Sequence, residues 1–125
     1  MGQSQRERVI GFLQQQYGAA PEYLWASSPQ SAVFRHPQSR KWYAVLMEVR
    51  REKLGVPGDG ALQVLDLKCD PLMTGSLLLE KGFFPAYHMN KAHWVSVALD
   101  GQAGDARIFP LLEMAFGLVA PKSGK

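Results

Sequence analysis

The chain has 125 residues, 46% of them apolar and 20% charged, with a formal charge of +3. That is the profile of one globular domain, able to bury about two-thirds of the surface its unfolded form exposes. It excludes a disordered chain, and no apolar run is long enough to cross a bilayer.

The polar start, Met1 to Glu7, runs straight into a helical pattern and has no signal-peptide core. Cys69 is the single cysteine, so no internal disulfide can form. A reducing cytoplasm is the expected location.

Ser4-Gln5-Arg6-Glu7 reads as a capping box that opens a helix over about Gln5 to Tyr17. Val9, Ile10, Leu13 and Tyr17 give it an apolar face, with Phe12 alongside, and Gly18 is a natural stop. Pro21 to Pro29 is irregular, and its Tyr23, Leu24 and Trp25 are expected to cover one end of the core. Ala32 to His36 forms a short strand, followed by turn chemistry at Pro37 to Arg40. Lys41 to Val49 is a longer strand. Strict alternation would put Tyr43, Val45, Met47 and Val49 on one side and Trp42, Ala44, Leu46 and Glu48 on the other. Apolar residues on both sides imply a central strand.

Arg50 to Gly60 is polar and glycine-rich, which predicts a long hairpin loop or flap before a third strand over Ala61 to Lys68. Asp70 and Pro71 open a second helix as N-cap and first helical residue, and Gly82 is its expected end. After the Phe83-Phe84-Pro85 link, Ala86 to Met89 is predicted as a short strand and Asn90-Lys91 as its turn. His93 to Leu99 is a strand, and Asp105 to Val119 a final helix with Pro110 near its start. The order α-β-β-β-α-β-β-α predicts a single α+β domain, residues 1–125. It is expected to be a two-layer α/β sandwich, an antiparallel sheet with helices on one face and the other face wholly or partly free.

Charge is unevenly placed. Between Arg35 and Lys53 lie six basic residues and two acidic ones. Such clustering suits an anionic partner. It equally suits hairpin edges that carry cations against edge-to-edge pairing. Arg40, Lys41, Arg50, Arg51 and Lys53, with Lys68, Lys91 and His93 near the second hairpin, are the candidate phosphate contacts. Two hairpins projecting as wings could straddle a nucleic-acid backbone. Trp42 and Trp94 either stack on bases or pack the hairpins.

Catalytic and metal chemistry find little support. His88 and His93 stand five apart across a turn, and no CxxC or HExxH spacing occurs. Their ring nitrogens are expected to tie that turn together. Cys69 before a helix start could be an activated thiol or an inert buried residue. There is no nucleophile elbow and no phosphate-binding glycine loop. The expectation is a protein that is not an enzyme and has no catalytic residue, no metal and no cofactor.

Three segments carry a family resemblance: Leu67 to Pro71, the string His88-Met89-Asn90-Lys91-Ala92-His93-Trp94 with Tyr87 before it, and Leu99 to Gly101. Together they resemble the MmcQ/YjbR family of small bacterial proteins, and the likeness covers nearly the whole chain. Lys68, Asp70, His88, Asn90, Lys91, His93 and Trp94 match the family signature. The resemblance implies a fold similar to type III secretion chaperones and to frataxin. It also implies DNA binding of a double-wing type and brings no catalytic residues. The Arg50 to Gly60 flap looks longer than the family's, and Gly75 to Leu79 less polar. The functional expectation is DNA binding through basic hairpins. The alternative is a protein-interaction module, binding a partner or itself through the sheet face, with no membrane role.

Overall fold

The computed structural model describes residues 2–122. Helix α1, Gln5–Tyr17, opens with the expected reciprocal cap. The Glu7 amide donates to the Ser4 hydroxyl at 3.1 Å and the Ser4 amide to the Glu7 carboxylate at 2.8 Å. It ends on Gly18 in the left-handed conformation. Strands β1 (Ala32–Arg35), β2 (Trp42–Arg50), β3 (Ala61–Lys68), β4 (Phe83–Pro85) and β5 (Trp94–Ala98) pair antiparallel in the order β1-β2-β3-β5-β4. A one-turn helix, α2 (Arg51–Leu54), follows β2; α3 (Pro71–Leu77) and α4 (Asp105–Leu118) complete the chain. Asp70 caps α3, as its side chain accepts from the Leu72 amide at 2.9 Å.

Helices α1, α3 and α4 cover one sheet face. Val9 and Leu13, Leu77, and Ile108, Leu111, Leu112 and Ala115 bury there against Phe34, Leu46, Leu65, Leu67, Val95 and Val97. Each buried Leu or Ile contributes about 1.5–3 kcal/mol relative to exposure. Opposite lies a loop face with its own apolar cluster: Val33, Val45, Met47, Val49, Leu62, Val64, Trp94 and Ala98. It is not bare. Leu54 and Val56 of the flap and Tyr87 and Met89 of the β4–β5 connection pack on it.

Five local expectations need correction. Alternation along β2 breaks at Tyr43. Phe34 pairs with Ala44 and Arg35 with Trp42, so Tyr43 is an extra residue in a bulge. The bulge turns Tyr43 onto the helical face, where its ring meets Tyr17, Phe34 and Phe116. Trp42 is thereby aimed at the loop face. The flap holds α2, closed by Gly55 at φ 72°. Helix α3 stops at Leu77, short of Gly82, in a stretch weakened by Gly75 and Ser76. No strand spans Ala86 to Met89; β4 ends at Pro85 and residues 86–93 form a loop. His88 has φ 66°, which interrupts extended backbone, and the Tyr87 amide donates to the Ser96 hydroxyl instead of a ladder. Tyr23, Leu24 and Trp25 do not seal the core; they are 55%, 45% and 38% exposed.

Candidate nucleic-acid interface on the loop face

The 86–93 loop is the chief structure on the loop face. Its turn is tied by Asn90, whose side-chain oxygen accepts from the Ala92 amide at 2.8 Å and the His93 amide at 3.2 Å. The expected ties through the His88 and His93 rings are absent among the described residues; His88 packs on Tyr87 with ring centroids 4.0 Å apart. Lys91 closes the loop, its ammonium donating to the Ala86 carbonyl at 2.7 Å. Trp94 is buried at the start of β5, with the Lys68 ammonium 5.4 Å from its ring centroid. Asp70, Asn90 and Trp94 therefore have structural work that accounts for them. His88, Lys91 and His93 are exposed, and Lys68 is half-buried beside Trp94.

The remaining candidates divide by partner. Arg35 donates to both Glu22 oxygens at 3.1 Å, and Arg40 lies 3.7 Å from the same carboxylate. Arg50 pairs with Glu52 at 2.8 Å, and Arg51 holds the flap by donating to the Asp59 carbonyl at 3.1 Å. The paired carboxylate raises the Arg50 guanidinium and the guanidinium lowers Glu52. Lys41, Lys53, Lys68 and Lys91 form no ion pair among the described residues. Three of the six basic residues between Arg35 and Lys53 thus pair with carboxylates, Arg35 and Arg40 sharing Glu22. The β1–β2 turn, with Arg40 and Lys41, and the flap, with Arg50, Arg51 and Lys53, sit at opposite ends of β2.

Two concavities on the loop face bear on these candidates. A groove of about 460 Å³ runs between Trp25 and Trp42 on one side and Tyr87, His88 and Met89 on the other, floored by Met47. Trp25 stands edge-on to Trp42, at 85° with centroids 5.9 Å apart. A smaller depression of about 190 Å³ lies between the flap and the 86–93 loop, with Lys53 and Lys91 both on its lining. The loop thus brings Lys91 to a residue far away in sequence.

Beneath the loop is a group the sequence reading passed over. Asp66 is fully buried on β3, and the Ser96 hydroxyl donates to its Oδ1. Its Oδ2 has no hydrogen-bond partner among the described residues. Burial pushes this carboxyl up to about 7, against the opposing pull of Ser96 and of the Lys91 charge. An aspartate inside the apolar run Val64-Leu65-Asp66-Leu67 was the available signal. Burial also pushes the Cys69 thiol up, away from a reactive thiolate. Among the described residues no three His, Cys, Asp or Glu side chains converge as metal ligands.

Known proteins share both sequence and fold with this chain. It is 37% identical over 113 residues to the uncharacterized protein YyaQ of Bacillus subtilis (strain 168), covering 90% of this chain and 96% of that one. A crystal structure of a Pseudomonas syringae protein superposes with TM-score 0.89 at 43% identity, over 92% of this chain and 98% of the other. A solution NMR structure from the same organism gives 0.86 at 42%, over 96% of each. A Deinococcus radiodurans protein with a DUF419 domain, 22% identical, shares the fold at 0.72, over 98% of this chain and 83% of that one. The YjbR family model matches residues 14–118, so the chain belongs to the YjbR family.

Proposed function

We propose that this protein is a non-enzymatic nucleic-acid-binding domain that works in the cytoplasm through its loop face. The observation that carries the reading is the set of lysines on that face that form no ion pair among the described residues. Lys53 from the flap, Lys68 from β3 and Lys91 from the 86–93 loop come from three separate segments. Cations without carboxylate partners gain by neutralising phosphates, because each contact releases condensed counterions. Flap and loop then act as two wings along a backbone, and the aromatic groove beside them offers surfaces on which bases can stack.

The test is a salt titration of labelled duplex and single-stranded DNA. Affinity is expected to fall steeply with salt. Replacing Lys53, Lys68 and Lys91 together by Gln is expected to flatten the log–log slope by about 0.7–0.9 per lost phosphate contact. No binding at low salt, or an unchanged slope in the variant, overturns the reading.

A second reading uses the same face for protein. Trp25, Trp42, Met47 and Met89 around one groove match the aromatic and methionine enrichment of protein interfaces. Light scattering discriminates: a concentration-dependent dimer that Trp25→Ala dissolves supports it, and a strict monomer counts against self-association.

A further inference from the structure

We infer that the depression between the flap and the 86–93 loop is an oxyanion site, with Lys53 and Lys91 as its cations and buried Asp66 as a proton-dependent counter-charge to Lys91. This deepens the nucleic-acid reading, on which it rests for its natural ligand: the oxyanion is a backbone phosphate.

Four observations converge. The depression holds about 190 Å³, room for a tetrahedral oxyanion. Its other walls include Leu54, Phe84 and Tyr87, apolar surfaces that thin the water around any charge pair and strengthen it. Lys91 is pre-oriented: one of its three ammonium donors is spent on the Ala86 carbonyl at 2.7 Å, leaving two to offer. Lys53 and Lys91 line the same space with no ion pair to either among the described residues, and an anion between them relieves their repulsion.

Asp66 adds a fifth. Across β2 it faces Val45 and across β5 Ser96, whose hydroxyl also accepts from the Tyr87 amide of the loop above. The Lys91 charge pulls against its burial. While Asp66 is neutral, the full charge of Lys91 is available to an external anion. Once Asp66 ionises, its carboxylate competes for that charge. Burial holds the crossover at about 7, so anion affinity falls as pH rises through neutrality.

Sulfate is the probe, because its charge stays constant across this range while that of inorganic phosphate does not. Amide shifts are followed in a sulfate titration at fixed ionic strength, at about pH 6 and about pH 8. Saturable shifts are expected at Lys53, Leu54, Tyr87 and Lys91, with affinity about tenfold weaker at the higher pH, the size expected for one nearby charge. Lys53→Gln and Lys91→Gln should abolish saturation, and Asp66→Asn should keep the tight form at both pH values. The same titration in His88→Gln/His93→Gln protein removes the two loop imidazoles as a source of pH dependence. Shifts spread evenly over other lysines, or a pH profile that Asp66→Asn leaves in place, overturn the inference. Should Asp66→Asn fail to fold, unchanged sulfate affinity in Lys91→Gln does so equally. A parallel arm with a short oligonucleotide separates the two claims. Salt-dependent oligonucleotide binding without sulfate shifts at the depression sinks this site and leaves the broader reading standing. Sulfate bound there with no oligonucleotide binding keeps the site and sinks that reading.

Discussion

Replacing Asp66 by Asn should change how stability depends on pH. The native carboxyl is pushed from its ordinary 3.8 up to about 7, first by burial, with the Ser96 hydrogen bond and the Lys91 charge opposing. The folded state therefore holds a proton that the unfolded state has already released. The stability tied to that proton is fully present below the unfolded value, drains away as pH rises toward 7, and is flat above. The whole span amounts to about 4 kcal/mol at most, and the part between about pH 5 and 8 to about 2–3 kcal/mol. Asp105 beside Arg8 and Glu80 beside Arg107 have lowered values and pull the other way, but they are common to both proteins. The assay is urea unfolding followed by tryptophan fluorescence, wild type against Asp66→Asn, at several pH values. The variant should gain on the wild type by about 2–3 kcal/mol between about pH 5 and 8. A stability difference that does not change with pH would refute the reasoning.

Two further outcomes follow from other buried positions. The Tyr43 hydroxyl is buried without a hydrogen-bond partner among the described residues, and burial raises its phenol well above the ordinary value. Tyr43→Phe should therefore be neutral or stabilise by up to about 1 kcal/mol in the same urea assay. Gly82 has φ 89°, and an added Cβ would come within 3.2 Å of the Ala103 backbone nitrogen. Gly82→Ala should cost about 1–3 kcal/mol, read as a lower midpoint at unchanged slope.

Local grammar made much of this fold legible. The Ser4/Glu7 box, Gly18 and the Asp70-Pro71 pair each act within one helical turn, so their signals survive without knowledge of the tertiary structure. Long periodic runs, such as β3 and α4, were equally clear. The bulge at Tyr43 was not, because what selects it is a pocket formed by Tyr17, Phe34 and Phe116 from three other segments. Ala86 to Met89 reads as a strand because Tyr87 and Met89 alternate as apolar residues; they are half-buried by lying across the sheet, not by joining it. The basic cluster was visible as a count, with Glu52 beside Arg50 inside it, but the pairing of Arg35 and Arg40 with Glu22 depends on a contact between separate segments. Lys53 and Lys91 become neighbours only when the flap and the loop fold over the same face.

Amide chemical-shift mapping with a short oligonucleotide at low salt tests the binding face most directly. If the loop face binds nucleic acid, the perturbed residues cluster on the flap, the 86–93 loop, Lys68 and the Trp25–Trp42 groove. Perturbations centred on α1 and α4, or none at all, would contradict the proposal.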